Sequence, residues 1–158
     1  MKKQSFLILH NIRSSYNVGA IFRTADAAGV SKIYLVGVTP RPLDKFGRVN
    51  SRIAKTALGA EKAVAWEYWK TLAPVLSKLK KEGTHIVALE QAENSVDYRK
   101  VKLKSSWALV LGEETKGLPR PVLTKCDIIA EIPMKGEKES LNVSVAAGVA
   151  LFQLLSKK

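Results

Sequence analysis

Residues 6–37 read FLILHNIRSSYNVGAIFRTADAAGVSKIYLVG, and the architecture follows from how this stretch divides. Phe6–Leu9 is a short continuous apolar run, which suits a strand buried on both faces. Asn17–Ala28 then carries Val18, Ile21, Phe22 and Ala25 at helical spacing, with Gly29 as its stop. Lys32–Gly37 returns to a strand. A strand, a helix and a second strand of this length call for a parallel pair joined by a right-handed crossover.

The same alternation continues outward. A short helix is expected near Ser51–Leu58, a strand at Ala63–Trp66, a helix from about Trp69 to Lys81 and a strand at His85–Leu89. Beyond these come the apolar strand Trp107–Leu111, a short helix Pro119–Lys125, a strand Ile128–Ile132 and a closing helix Leu141–Leu155. The expected fold class is α/β, a mainly parallel sheet with helices on both faces. With 158 residues and no internal repeat, residues 1–158 are read as one domain.

The closing helix has almost no polar stripe, since Val143, Val145, Ala146, Ala147, Val149, Ala150, Leu151, Phe152, Leu154 and Leu155 surround its axis. A helix apolar all round must be covered all round. A sheet covers one face, so a second subunit is expected on much of the rest, the alternative being a helix sunk in its own core. Ser144 and Gln153 interrupt the stretch and Gly148 sits inside it, which argues against a membrane span. At the other end, only Phe6–Leu9 follows Met1-Lys2-Lys3-Gln4-Ser5 as an apolar run, too short for a signal peptide, so a cytoplasmic location is expected.

Composition narrows the partners. The 46% hydrophobic and 25% charged content is that of an ordinary globular chain, and a net charge of +12 favours an extended polyanion. The basic residues concentrate in Arg41, Lys45, Arg48, Arg52 and Lys55, opposed only by Asp44, in a loop containing Pro40, Pro42, Gly47 and Asn50. These five, with Arg13, are the candidate residues for gripping the phosphates of a nucleic acid. A second cluster, Arg99, Lys100, Lys102 and Lys104, reads as a solvated turn. Cys126 is the only cysteine and His10 and His85 the only histidines, so neither a disulfide nor a zinc site is expected.

Small molecules bind open parallel sheets in the loops beyond the carboxyl ends of the strands. Three loops qualify here. Asn11–Asn17 follows the first strand and is succeeded on the helix by Arg23; Gly112-Glu113-Glu114-Thr115-Lys116-Gly117-Leu118 follows Leu111; Pro133–Gly136 follows Ile132 and leads through Glu139-Ser140-Leu141-Asn142 into the last helix. The second loop lacks the Lys and Ser or Thr of a phosphate loop, which disfavours a nucleotide triphosphatase. No G-x-G turn follows the first strand, which weighs against a Rossmann-type methyltransferase.

Three segments, Asn11–Ala25 (NIRSSYNVGAIFRTA), Leu109–Leu118 (LVLGEETKGL) and Ile132–Phe152 (IPMKGEKESLNVSVAAGVALF), together with Lys55–Ala60, resemble the SpoU or TrmH-like ribose methyltransferases of the SPOUT superfamily. The resemblance extends over nearly the whole chain. It implies a C-terminal trefoil knot, a methyl donor, S-adenosyl-L-methionine, bound in the knotted loops, and a homodimer whose active site draws on both subunits. Carried over by position, it implies catalytic roles for Asn17, Arg23, Glu114, Ser140 and Asn142. Cofactor contacts fall on Leu111, Gly112, Glu113, Ile132, Met134 and Leu141. The implied activity is methylation of a ribose 2′-hydroxyl in tRNA or rRNA, an in-line displacement that requires alignment and proton removal but no metal. Arg23 is read as an orienting cation, because a guanidinium has no acceptor for a proton. The alternatives are a base-methylating SPOUT relative and a non-catalytic RNA-binding or assembly protein on the same fold.

Overall fold

The computed structural model describes residues 3–157; Met1, Lys2 and Lys158, on which the readings of the two chain ends partly rest, lie outside the described residues. Seven strands, β1 (Gln4–His10), β2 (Lys32–Val36), β3 (Trp66–Trp69), β4 (His85–Leu89), β5 (Val96–Asp97), β6 (Ser106–Leu111) and β7 (Ile128–Glu131), form one sheet in the order β3-β2-β1-β6-β4-β7-β5. Every pairing is parallel. The helices are α1 (Ser15–Ala28), α2 (Ser51–Ala57), α3 (Ala60–Ala63), α4 (Ala73–Lys81), α5 (Arg120–Leu123) and α6 (Val143–Leu155).

Alternation along the strands divides the core into two layers. Leu7, Leu9, Ile33, Leu35, Val87, Leu109 and Leu111 face α1, α2, α3 and α6, whose Val18, Phe22, Ile53, Ala60 and Leu151 complete that layer. Phe6, Ile8, Tyr34, Val36, Ile86, Ala88 and Val110 face the other way, onto Val75, Leu76 and Leu79 of α4 and onto Leu118. Helices therefore cover both faces, as the apolar strands required.

The strand order explains where a ligand site forms. The chain moves outward through β1, β2 and β3, returns to β4 on the far side of β1, and later fills the gap with β6; β7 then enters between β4 and β5. The loops after β6 and β7 thus emerge at the point where the direction of winding reverses, the place at which open α/β sheets bind ligands.

Several boundaries differ from the sequence reading. The strand expected at Ala63–Trp66 lies at Trp66–Trp69, because Ala60–Ala63 closes a short helix beneath Gly59. Trp69 is consequently in the sheet, and α4 starts at Ala73 with Pro74 in its first turn. Around Arg99 the chain is not simply a solvated turn. β5 and a 3-10 turn, Tyr98–Lys100, occupy that stretch, with Arg99 Nη2 2.6 Å from Asp97 Oδ2 and Lys157 Nζ bonding the carbonyls of Arg99 and Val101. The last helix begins at Val143, since Asn142 is its cap and accepts from the N–H groups of Ser144 and Val145.

On α6, Ala147, Ala150, Leu151 and Leu154 are buried in the chain's own core, whereas Val145, Val149, Phe152 and Leu155 form an exposed stripe at positions i, i+4, i+7 and i+10. The chain's own core therefore leaves a continuous apolar stripe of this helix uncovered. No helix among the described residues is long and apolar enough to cross a membrane. Burial pushes the Cys126 thiol up to about 11, which makes it a packing residue with little thiolate character.

Candidate active site

The loop from β1 into α1 is fixed by its own polar side chains. Asn11 adopts a left-handed conformation (φ 56°), and its Oδ1 accepts from Val38 N–H at 3.1 Å, tying this loop to the one after β2. Ser14 Oγ caps α1 by accepting from Asn17 N–H at 3.2 Å. Of the two asparagines in the loop, Asn11 is committed to the scaffold and Asn17 is left to face the neighbouring loops.

Glu114 joins the three segments. Its carboxylate accepts from the N–H groups of Arg13 and Ser14, each at 3.3 Å, and from Asn17 Nδ2 at 3.4 Å. Asn142 Nδ2 in turn donates to Asn17 Oδ1 at 3.3 Å. Asn17 thus receives from the third segment and gives to the second through one amide. Partial burial on its own would raise the Glu114 carboxyl, but the N–H groups of Glu114 itself, Arg13 and Ser14 and the Asn17 amide outweigh it and hold the group below the ordinary carboxylate range. An acid so stabilised is an anion at neutral pH and is suited to orienting donors, not to giving up a proton.

Beside this junction lies a cavity of about 500 Å³, within the size range of small-molecule and cofactor sites. Leu89, Leu111, Ile132, Met134 and Leu141 supply apolar walls. Its charged lining is lopsided: Glu90, Glu113, Glu114, Glu131 and Glu139 against Lys116 alone. Such a cavity favours a ligand with a flat apolar part and a positive centre.

Glu90 and Gln91, just past β4, were not singled out from the sequence. Glu90 Oε2 accepts from Leu118 N–H at 2.8 Å and packs so closely on Gly117 that a Cβ there would stand 2.2 Å from it. Gly117 also has φ +65°, so glycine is required twice over. Gln91 Nε2 donates to the Glu139 carbonyl at 2.7 Å. Adjacent residues therefore clamp the second and third segments. Glu90→Ala is expected to weaken ligand binding in this cavity about tenfold by calorimetry, with Glu90→Gln, which keeps an acceptor, restoring most of it. Unchanged affinity in the alanine variant would remove Glu90 from the positioning machinery.

The sequence-derived residues distribute unevenly. Leu111, Gly112, Glu113, Ile132, Met134 and Leu141 all line the cavity, as do Glu114, Ser140 and Asn142. Ser140 does so without capping α6. Asn17 reaches the rim by its hydrogen bonds. Arg23 does not join them: it is exposed on α1, outside the cavity lining, and makes no ion pair among the described residues. Its neighbour Thr24 meets α6 at Gly148, which sets Arg23 close to the helix with the uncovered apolar stripe. Of the candidate RNA-binding residues, Arg13 pairs with Glu113 at 3.4 Å and Arg48 with Asp44 at 2.6 Å. Arg41 stacks on Tyr68, while Lys45, Arg52 and Lys55 are exposed. Among the described residues no group of His, Cys, Asp and Glu is placed to hold a metal ion.

A parallel sheet whose cofactor-sized cavity lies at its winding reversal defines a class of α/β ligand-binding domains. Within that class, residues 4–152 match the model of the SpoU rRNA methylase family, and the chain belongs to that family. It is 40% identical over 153 residues to the 23S rRNA (guanosine-2′-O-)-methyltransferase RlmB of Xylella fastidiosa (strain 9a5c), an alignment covering 96% of this chain and 58% of that protein. The AdoMet-bound rRNA methyltransferase from Sinorhizobium meliloti superposes with a TM-score of 0.85 at 30% identity, over 97% of this chain and 56% of that one. The TrmH/SpoU tRNA modifying enzyme of A. aeolicus gives 0.84 at 30% identity, over 98% and 75%. The chain spans about three-fifths of the length of the curated relatives it matches.

Proposed function

We propose that this chain is an S-adenosyl-L-methionine-dependent RNA methyltransferase that acts on a ribose 2′-hydroxyl of tRNA or rRNA, as a cytoplasmic homodimer of one catalytic domain spanning residues 1–158. The observation that carries the reading is the Glu114–Asn17–Asn142 junction, which unites three separated loops at the rim of one acidic cavity. The loops after β6 and β7, residues 112–118 and 132–142, are the segments assigned to the trefoil threading.

The cavity fits the donor chemically. Its apolar walls suit an adenosyl group and its excess of carboxylates suits a sulfonium and an α-amino group. When bound, S-adenosylmethionine supplies a methyl carbon made electrophilic by the positive sulfur. The chain's residues do the rest. Glu114 fixes the first loop against the second; Asn17 and Asn142 present amide groups at the rim; Ser140 and Leu141 close one side of the cavity. Arg23 is assigned to orienting the ribose and its phosphate, and the hydroxyl proton leaves to phosphate or water. Similarity to RlmB of Xylella fastidiosa and to the A. aeolicus tRNA enzyme supports an RNA substrate of either kind.

Arg23 and Glu114 of one protomer do not meet, and the uncovered stripe Val145, Val149, Phe152 and Leu155 is suited to a second copy. We therefore assign Arg23 to the partner's site. Mixing Arg23→Ala with Glu114→Ala protomers should recover about a quarter of the parent activity, because half the dimers are mixed and each has one intact site. A mixture as inactive as its components would place both residues in the same protomer's site. The reaction itself is tested by calorimetry with S-adenosylmethionine, then by labelled-donor transfer to total RNA and nucleoside mapping. A 2′-O-methyl nucleoside is expected; a methylated base would indicate the base-modifying alternative, and absence of donor binding would leave an RNA-binding or assembly role.

A further inference from the structure

The loop between β2 and α2 contains a small hairpin whose construction goes beyond a basic surface. Leu43 and Val49 pair as an antiparallel bridge, and Asp44 ties the turn from within: Oδ1 accepts from the N–H groups of Phe46 at 2.8 Å and Arg48 at 2.9 Å, and Oδ2 from Arg48 Nε at 2.6 Å. The hairpin is anchored at its base. Asn50 caps α2 and donates through Nδ2 to Ser15 Oγ at 3.2 Å, in the first turn of α1, which also carries Asn17.

At the tip, Phe46 is 70% exposed, although its ring is among the most water-averse surfaces the chain has. Lys45 Nζ and Arg48 Cζ each lie 5.1 Å from its centroid. On the other side of the loop Arg41 stacks at 4.2 Å on Tyr68, whose hydroxyl donates to the Gly37 carbonyl. Between these pairs is a recess of about 260 Å³ lined by Arg41, Asp44, Arg48, Val49 and Asn50. Asp44 is ion-paired with Arg48 through Nε, so the net positive charge of the recess comes from Arg41, with the remaining N–H groups of Arg48 beside it as donors.

An exposed aromatic ring with two cations over it, beside a cationic recess, matches one chemical unit, an unpaired nucleotide: base on the ring in place of a mobile cation, phosphate beside the arginines. A base inside a duplex has both faces stacked and offers none to a protein ring. We propose that Phe46 is a stacking platform for one unpaired base of the RNA flanking the reactive ribose, with the adjoining phosphate held by Arg41 and Arg48. This rests on the RNA-modifying reading above.

The test uses the full chain and two probes, single-stranded oligo(A) RNA of about 12 nucleotides and an RNA duplex of about 16 base pairs. Phe46→Ala should weaken oligo(A) binding about tenfold, leave duplex binding and the salt dependence of both unchanged, and be rescued by Phe46→Trp. The exposed side chain makes no contribution to the core, so the variant's melting temperature serves as the folding control. Equal oligo(A) affinity in the variant and the parent, an equal loss on both probes, or no RNA binding by the parent would overturn the proposal. So would a fall in sedimentation mass, which would assign Phe46 to a protein interface. Donor calorimetry separates the two readings: a parent that binds donor while Phe46→Ala keeps its oligo(A) affinity loses only the stacking platform, whereas a parent that binds no donor loses the enzyme assignment.

Discussion

Glu114→Ala is expected to lower methyl transfer about a hundredfold under single-turnover conditions. Three donors from the first loop converge on this carboxylate at 3.3–3.4 Å, and removal leaves the Arg13 and Ser14 N–H groups and the Asn17 amide without that partner. Each bond is long and near solvent, so about 1 kcal/mol apiece is the appropriate scale, below that of a buried charged acceptor. Together they amount to about 3 kcal/mol of lost organisation, or roughly two powers of ten in rate. The pH dependence has a defined sign. Because the folded carboxyl is held below its ordinary value of 4.5, its contribution to stability is present above that value and is lost as pH falls through the lowered one. Glu114→Gln should therefore flatten the acid limb of a thermal-shift profile while the parent loses stability there. Turnover of the alanine variant within about threefold of the parent would mean that the junction does not organise the site.

Gly19→Ala should be strongly destabilising. Gly19 is the point where α1 crosses α2, and a Cβ there would stand 2.0 Å from Thr56 Oγ1 and 2.4 Å from the Ile53 carbonyl. Thr56 is not free to rotate away, because its hydroxyl donates to the Tyr16 carbonyl at 2.8 Å, and the Ile53 oxygen is backbone. The helices themselves must separate. Overpacking of this kind costs about 3 kcal/mol, equivalent to a fall of roughly 6–12 °C in Tm for a domain of this size. Because α1 carries Asn17 and Arg23 at that crossing, activity should fall at temperatures well below the transition. A Tm within about 2 °C of the parent would show that the crossing has slack.

The β1-α1-β2 unit was legible because its strands are buried on both faces and its helix shows one clean apolar stripe ending at Gly29. Elements of two to four residues were not. β5 has two residues and α3 four, too few for any period to register. Trp66–Trp69 was displaced because an edge strand with half-buried aromatics carries little alternation, although Pro74 marks the true start of α4. At the site, loop membership was legible and partnership was not. Either Ser140 or Asn142 could have capped α6, and only the fold selects Asn142. Glu90 had no local signature at all, since its partner Leu118 lies 28 positions away and was brought near by the insertion of β6. Arg23 lies outside the cavity lining of its own chain, so its place beside the other candidates rests on the proposed second copy.

That late insertion of β6 also constrains biosynthesis. Gln4 pairs with Ser106 and Leu9 with Leu111, so β1 waits for about a hundred further residues before its inner neighbour exists. On the ribosome, this cavity cannot form until the segment through Asn142 has emerged and α6 has docked. Refolding from denaturant should accordingly be slow, with ligand binding among the last properties to return.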